Sequence, residues 1–322
     1  MKTILLFYIS TLCLVTACSP VVVTFPAQTP PAPAISSDKF TSYDNSELSM
    51  RRWLPSSTID GVIIALHGFN DYSNFIKDSA PVLNDQGLAV YAYDQRGFGQ
   101  SKTRGRWSGW QTLAKDLVTF IELIKKKYPS LPVYVLGDSM GGAVAIVSMA
   151  GNHPRVDGII LAAPAVWSRS EMVFYQRWLL WVAAHTIPWE KVTGKSLDIT
   201  PSDNTAMLRE LGRDPLIIKE TRIDVLFGLS NLMDEAYGSA ESMNVNTLLL
   251  YGEKDEIIPR KSVIQFYNLL PAAGQGQQQM ILYQDGYHML LRDLQSEQVI
   301  KDIVQWIRGQ AISTFQPEPD KQ

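Results

Sequence analysis

Six short, almost uninterrupted apolar runs, at 62–66, 88–93, 133–136, 159–163, 247–251 and 280–283, recur along the chain with segments of helical period between them. A strand with one face in water alternates apolar and polar side chains, whereas a strand covered by helices on both faces has no polar side. The runs therefore predict an α/β fold with a mostly parallel, doubly wound sheet. Between them, Trp110, Leu113, Leu117, Phe120, Ile121 and Ile124 step mostly by three and four residues. Lys125, Lys126 and Lys127 then suit a helix C-terminus, with Pro129 beyond it. Val299, Ile300, Ile303, Val304 and Ile307 repeat the pattern. From Val166 to Met243 no comparable run appears, and 166–243 is expected to be a helical cap inserted into a core formed by 38–165 and 244–313.

Composition sets outer limits on function. With 46% hydrophobic and 19% charged residues in 322, the chain is too apolar to be disordered. A formal net charge of −3 offers no overall basic field for phosphates, so no nucleic-acid partner is expected. The four histidines are not paired at metal-ligand spacing, and neither a metal nor an organic cofactor is expected.

The first residues read as an address. Residues 1–17 carry one Lys, then an apolar run from Ile4 to Val15 broken only by Ser10, Thr11 and Cys13, in the manner of a signal peptide. The run is shorter than the ~20 residues a membrane-spanning helix needs. Val15-Thr16-Ala17-Cys18 looks like a bacterial lipobox, cut before Cys18, whose thiol then carries a diacylglycerol. An ordinary signal with a chance cysteine is the alternative. On the lipobox reading Cys13 leaves with the signal and no disulfide is available. Ser19 rather than Asp follows Cys18, so the expected location is the bacterial cell envelope, lipid-anchored, with the outer membrane favoured. Prolines at 20, 26, 30, 31 and 33 make 18–37 a Pro-rich tether, and the mostly polar stretch 314–322 is expected to be a flexible tail.

Chemistry concentrates at the strand ends, where open parallel sheets place ligands. The run 133–136 leads directly into Gly137-Asp138-Ser139-Met140-Gly141-Gly142 and then into the small residues Ala143, Val144 and Ala145. This is G-x-S-x-G between a strand and a helix, where the turn is so sharp that side chains at 137 and 141 would clash with neighbouring backbone. Ser139 also opens a helix, whose free N–H groups favour a developing oxyanion. A serine nucleophile needs a base. His67 precedes Gly68 in the position of an oxyanion loop, His153 sits at a helix end beside Pro154, and His185 lies among the cap tryptophans. His288 follows the last run and fits the chain order Ser, acid, His of this motif class. The acid is expected from the loop after 247–251, at Asp255; Asp285, on the same tight turn as His288, is the rival, and Asp138 is expected to point away from the base.

With these residues in view, the chain resembles the monoacylglycerol lipase and lysophospholipase branch of the α/β-hydrolase superfamily. The resemblance is carried by Leu66-His67-Gly68-Phe69, Tyr93-Asp94-Gln95-Arg96-Gly97-Phe98-Gly99-Gln100-Ser101, 137–142, Tyr251-Gly252-Glu253-Lys254-Asp255 and Tyr287-His288. It implies an α/β-hydrolase fold, a Ser139–His288–Asp255 triad acting through an acyl-enzyme, and an oxyanion hole made by the backbone N–H groups of Phe69 and Met140. It also implies a carboxylic ester substrate, monoacylglycerol or lysophospholipid. The family commonly has His at the positions of Asp138, Gln95 and Phe98, and those departures bear on substrate preference.

Rival readings stay open at this point. A serine aminopeptidase-like hydrolase uses the same triad and needs an acidic cap group such as Glu171, Glu190 or Asp198 for the substrate amine. A non-enzymatic envelope binding protein on the same scaffold is the other. Gly97-Phe98-Gly99 is not a dinucleotide fingerprint, because Lys102 stands where the third glycine belongs. In the cap, Trp178 and Trp181 are candidates for lining an acyl pocket or meeting a lipid interface, or else they pack the cap on the sheet.

Overall fold

The computed structural model describes residues 20–24, 32–150, 156–194 and 198–315. The expected signal over 1–17, Cys18 and His153 lie outside the described residues, as does the tail from 316 onward.

The chain opens with β1 (Ala34–Ile35), β2 (Lys39–Thr41) and β3 (Glu47–Trp53), which pair antiparallel in sequence. They join β4 (Gly61–Leu66), β5 (Leu88–Tyr93), β6 (Val133–Asp138) and β7 (Gly158–Ala162). A separate two-stranded antiparallel sheet, β8 (Lys191–Val192) with β9 (Thr221–Arg222), stands apart, and β10 (Thr247–Gly252) and β11 (Gln278–Tyr283) complete the main sheet. The order across the nine strands is β1-β2-β3-β5-β4-β6-β7-β10-β11, parallel from β5 to β11. The six apolar runs are these six parallel strands. Sequence reading passed over β3, whose burial alternates along Glu47–Trp53 because it is an antiparallel strand nearer the edge.

Burial explains the continuous apolar runs. Along β4, Val62, Ile64 and Leu66 face one core while Ile63 and Ala65 face a second core on the opposite side of the sheet. The helices, in chain order, are α1 (Ser79–Asp85), α2 (Trp110–Lys127), α3 (Met140–Met149), α4 (Phe174–Thr186), α5 (Thr205–Arg213), α6 (Ile223–Gly238), α7 (Arg260–Asn268) and α8 (Ser296–Ile307). Leu113, Leu117, Phe120, Ile121 and Ile124 of α2 join the first core, together with the wholly buried α3. Ala80 and Leu83 of α1, with Val299, Ile300, Ile303 and Val304 of α8, join the second. At about 25 cal/mol per Å² of apolar surface removed from water, these two interfaces are the main source of stability.

Between β7 and β10 the chain leaves the sheet and builds α4, β8, α5, β9 and α6, with β8 and β9 paired antiparallel. This is where the sequence lacked a strand-like run.

Two segments differ from the sequence reading. The stretch 18–37 is not a free tether throughout, because β1 pairs with β2 and Val22 bridges to Trp107, with the Val23 amide donating to the Trp107 carbonyl at 2.8 Å. Prolines remove donors, but Val22, Val23 and Ala32 still find partners on the domain. At the other end, Phe315, within the expected flexible tail, donates its amide to Met280 O at 2.7 Å.

A buried ion cluster ties the first strands to the sheet. Arg96, 1% exposed, donates to both oxygens of Asp44 and both of Asp116, and Asp116 also accepts from Ser42 at 2.5 Å. A guanidinium fork satisfies two carboxylates at once, which lets three charges sit out of water.

Candidate active site

Strand β6 ends at Asp138 and α3 begins at Met140, so Ser139 alone makes the turn, at φ 50° and ψ −110°. That strained conformation is stored where neighbouring backbone enforces it. A Cβ on Gly137 would lie 2.5 Å from the Gly141 carbonyl oxygen, and one on Gly141 would strike the Leu66 carbonyl. The glycines let β4, the elbow and α3 meet. The Ser139 amide donates to Ala162 O at 2.9 Å, and Ser139 O accepts from Ala165 at 3.0 Å.

His288 reaches this turn from the loop after β11. Its Nε2 lies 3.0 Å from Ser139 Oγ and its Nδ1 lies 2.8 Å from Asp255 Oδ2. Asp255 is fixed in its turn, because its Oδ1 accepts from the amides of Ile257 at 2.7 Å and Ile258 at 3.0 Å. The two loops are joined by backbone, Lys254 N–H to Gly286 O at 2.9 Å. A Cβ at Gly252 would enter the Gly286 backbone, so the close approach needs glycine there. Asp285 instead pairs with Lys254 at the surface, at 2.6 Å.

Electrostatics favours a hydrogen-bonded, polarised imidazole. Burial of the His288 ring opposes its charged form, but the hydrogen bond and charge of Asp255, with the charge of Asp138, outweigh burial and raise its pKa above the ordinary histidine value. His67 behaves oppositely: burial lowers its pKa, Nε2 accepts from the Gln95 amide at 2.9 Å, and Nδ1–H donates to Gly68 O at 2.8 Å. It is a neutral brace that shapes the turn carrying Phe69. Phe69 lines the cavity in front of Ser139, and Met140, as the first residue of α3, has an amide with no intrahelical acceptor.

The cavity has a volume of about 460 Å³ and opens over Ser139 and His288. Trp167, Met172 and Leu180 of the cap, Leu226, Leu229 and Met233 of α6, and Ile257 and Ile258 form an apolar part of its wall. Trp178 and Trp181 do not line it; they are exposed, at 62% and 47%. At 100° per residue, Leu180 turns inward while Trp178 lies about 160° away and Trp181 about 100° away on α4. Glu171, Glu190 and Asp198 are also absent from the wall.

The polar end of the cavity was missed in the sequence. Arg292 donates to Asp71 Oδ2 at 2.6 Å, both side chains being buried. Asp138 does not turn away from the site: its carboxylate lines the same cavity, because Gly68 has no side chain and Asp138 Oδ2 sits 3.0 Å from where a Cβ would be. Burial pushes the Asp138 carboxyl up to about 6, against the lowering charges of Arg292 and His288. It enters no hydrogen bond with a described residue. Among the described residues no group of three or more His, Cys, Asp or Glu is placed to hold a metal ion.

A serine on a strand-to-helix elbow of a parallel sheet, with a histidine and an aspartate in line behind it, defines an α/β-hydrolase. The chain belongs to the family described as Serine aminopeptidase, S33, whose model matches residues 57–295, and it is a hydrolytic enzyme. It is similar to the monoglyceride lipase of Homo sapiens, 28% identical over 275 residues that cover 82% of this chain and 88% of the relative. A monoacylglycerol lipase of Mycolicibacterium smegmatis is 24% identical, covering 79% and 90%. The same fold occurs in a soluble variant of monoglyceride lipase from Saccharomyces cerevisiae, solved with a substrate analog, with a TM-score of 0.72, 19% identity, and coverage of 90% of this chain and all of that one.

Proposed function

We propose that the protein is a carboxylic ester hydrolase acting on single-chain acyl lipids, with monoacylglycerols ahead of lysophospholipids. The observation that carries this reading is the shape of the cavity, a largely apolar chamber of about 460 Å³ that ends in a polar corner at Ser139. An acyl chain suits the wall of Leu226, Leu229 and Met233. The polar corner suits a hydroxylated leaving group. There Asp71 is neutralised by Arg292, whereas Asp138 is unpaired, so the corner repels a phosphodiester and accepts hydroxyl donors.

In the proposed reaction Ser139 Oγ forms a bond to the ester carbonyl carbon as its proton passes to His288 Nε2. The carbonyl electron pair moves to oxygen, held by the amides of Phe69 and Met140. The intermediate collapses, the carbon–alkoxy bond breaks, and His288 returns the proton to the departing alcohol. Water, deprotonated by the same nitrogen, then releases the fatty acid and restores Ser139. Asp255 fixes the Nδ1–H tautomer and stabilises the imidazolium that forms.

A second reading is an aminopeptidase, favoured by the family's description and by Asp138, an unpaired carboxylate suited to an α-ammonium. A panel of monooleoylglycerol, lysophosphatidylcholine, methyl oleate and aminoacyl anilides separates the two. The ester reading expects monooleoylglycerol to have the highest kcat/KM; preference for the anilides contradicts it.

For location, we retain the lipid-anchored envelope reading, with Cys18 as the acylated residue and the outer membrane favoured. It rests on the sequence of residues 15–19. Cys18→Ser is expected to leave the protein unprocessed or to release it from membranes, and a processed variant that still fractionates with membranes contradicts the reading.

A further inference from the structure

Away from the active site, a groove of about 670 Å³ lies between the β8–β9 pair of the cap and the loop before α2. Arg104, Arg106, Lys191, Lys219 and Arg222 line it, with Glu220 as the one acid. In a chain of net charge −3, five cations to one carboxylate is a strong local reversal. Arg222 is matched by Asp224, which it meets through two hydrogen bonds. For the other four no carboxylate partner occurs among the described residues; Arg104 and Lys219 donate only to the backbone carbonyls of Pro215 and Asp214. Four of the five cations thus have no carboxylate partner among the described residues.

Two neighbours of the groove are apolar and exposed. Trp189, 51% exposed, stands two residues before Lys191, which pairs with Arg222 across β8 and β9. On the other side, the residue after Arg106 is Trp107, whose backbone holds Val22 and Val23. Trp107 is wedged beneath them, packed so closely on α6 that a Cβ at Gly228 would enter its indole ring. Val21 and Val22 are themselves 48% and 49% exposed. The Val21–Val23 segment therefore lies beside the basic groove. Cys18 is four residues before Val22, within about 14 Å of it even when fully extended.

We propose that the groove of Arg104, Arg106, Lys191, Lys219 and Arg222, with the Val21–Val23 strap and Trp189 at its rim, is the face by which this protein lies against an anionic lipid bilayer. The proposal takes from the lipid-ester reading the premise that the substrate resides in membranes, and from the location reading the anchor at Cys18. Cations meet the phosphates, while the valines and the indole enter the interfacial layer, where an amphipathic ring is stable. A short strap in place of a long tether also changes the geometry: the domain is held with this one face toward the surface.

Amide hydrogen exchange on the full chain reconstituted in vesicles tests this. On phosphatidylcholine with phosphatidylglycerol, exchange across 104–107, 189–192 and 217–220 is expected to slow at least about tenfold relative to phosphatidylcholine alone, since each basic residue near such a surface is worth about fivefold in partition. The double variant Arg106→Glu/Lys191→Glu, at two exposed positions with no described side-chain partner, is expected to abolish the difference. Equal protection on both vesicles overturns the proposal, as does protection that survives the double variant. Protection reproduced by inorganic phosphate without lipid also overturns it, because it marks a site for a free anion. Turnover of a soluble short-chain ester in the same samples reports separately on the hydrolase reading: its absence alongside lipid-dependent protection sinks that reading and leaves the docking face standing.

Discussion

His288 Nδ1 lies 2.8 Å from Asp255 Oδ2, although Asp285 is the nearer carboxylate in sequence. The turn that brings Asp285 close to His288 along the chain points its side chain to solvent, where Lys254 takes it up. Asp255→Asn is therefore expected to lower kcat by about 10⁴ by presenting the wrong histidine tautomer, while Asp285→Asn removes an exposed pair of little consequence. Steady-state kinetics on one soluble ester checks the ranking, and the reverse order would move the acid to Asp285.

The same contact sets the pH dependence. His288 acts as a base only when neutral, and its pKa is raised, so kcat/KM is expected to climb with pH through an inflection above the reference value of ~6.5. Removing a negative neighbour destabilises the imidazolium. Asp138→Asn should thus move the inflection down, and so should Asp255→Asn in whatever activity it retains. A profile flat from pH 5 to 9 with chemistry rate-limiting contradicts the assignment of His288.

Chain-length selectivity should follow the cavity wall rather than the exposed aromatics. Leu229→Trp fills part of the chamber and is expected to cut kcat/KM for an 18-carbon ester by roughly tenfold or more while sparing a 4-carbon ester, given ~1–3 kcal/mol per misfitted group. Trp178→Ala with Trp181→Ala is expected to leave the ratio of the two soluble esters within about twofold, because neither ring touches the cavity. A chain-length series on monomeric substrates measures both.

Arg96 answers for stability. Replacing it by Met strands Asp44 and Asp116 in the interior, which costs about 3–5 kcal/mol. The denaturant midpoint should fall accordingly. Adding Asp44→Asn and Asp116→Asn should recover part of the loss, and no recovery would mean that packing rather than charge is responsible.

What the sequence disclosed depended on how narrowly physics constrains each residue. Strands β4 to β7, β10 and β11 are buried on both faces, and only unbroken apolar runs survive there. The Ser139 elbow was equally legible, since Gly137 and Gly141 answer to backbone contacts that tolerate no side chain. Helix α4 was not. Phe174, Tyr175, Trp178, Leu179 and Trp181 are exposed and Leu180 lines the cavity, so apolar residues occupy both sides of the helix and periodicity cannot select the inner one. Asp71 and Arg292 are 221 residues apart, and nothing local to either announces the pair that closes the polar corner. Asp138 was misjudged because the space it uses is provided by Gly68, on another strand's loop.

On the proposed mechanism Ser139 carries the hydrolysis of a lipid ester. The direct measurement is turnover of monooleoylglycerol by the purified wild-type protein and by Ser139→Ala, both verified as folded. The wild type is expected to turn the substrate over, and the variant to lose on the order of 10⁴ to 10⁶ in kcat. Comparable turnover by the two proteins, or none by a folded wild type, contradicts it.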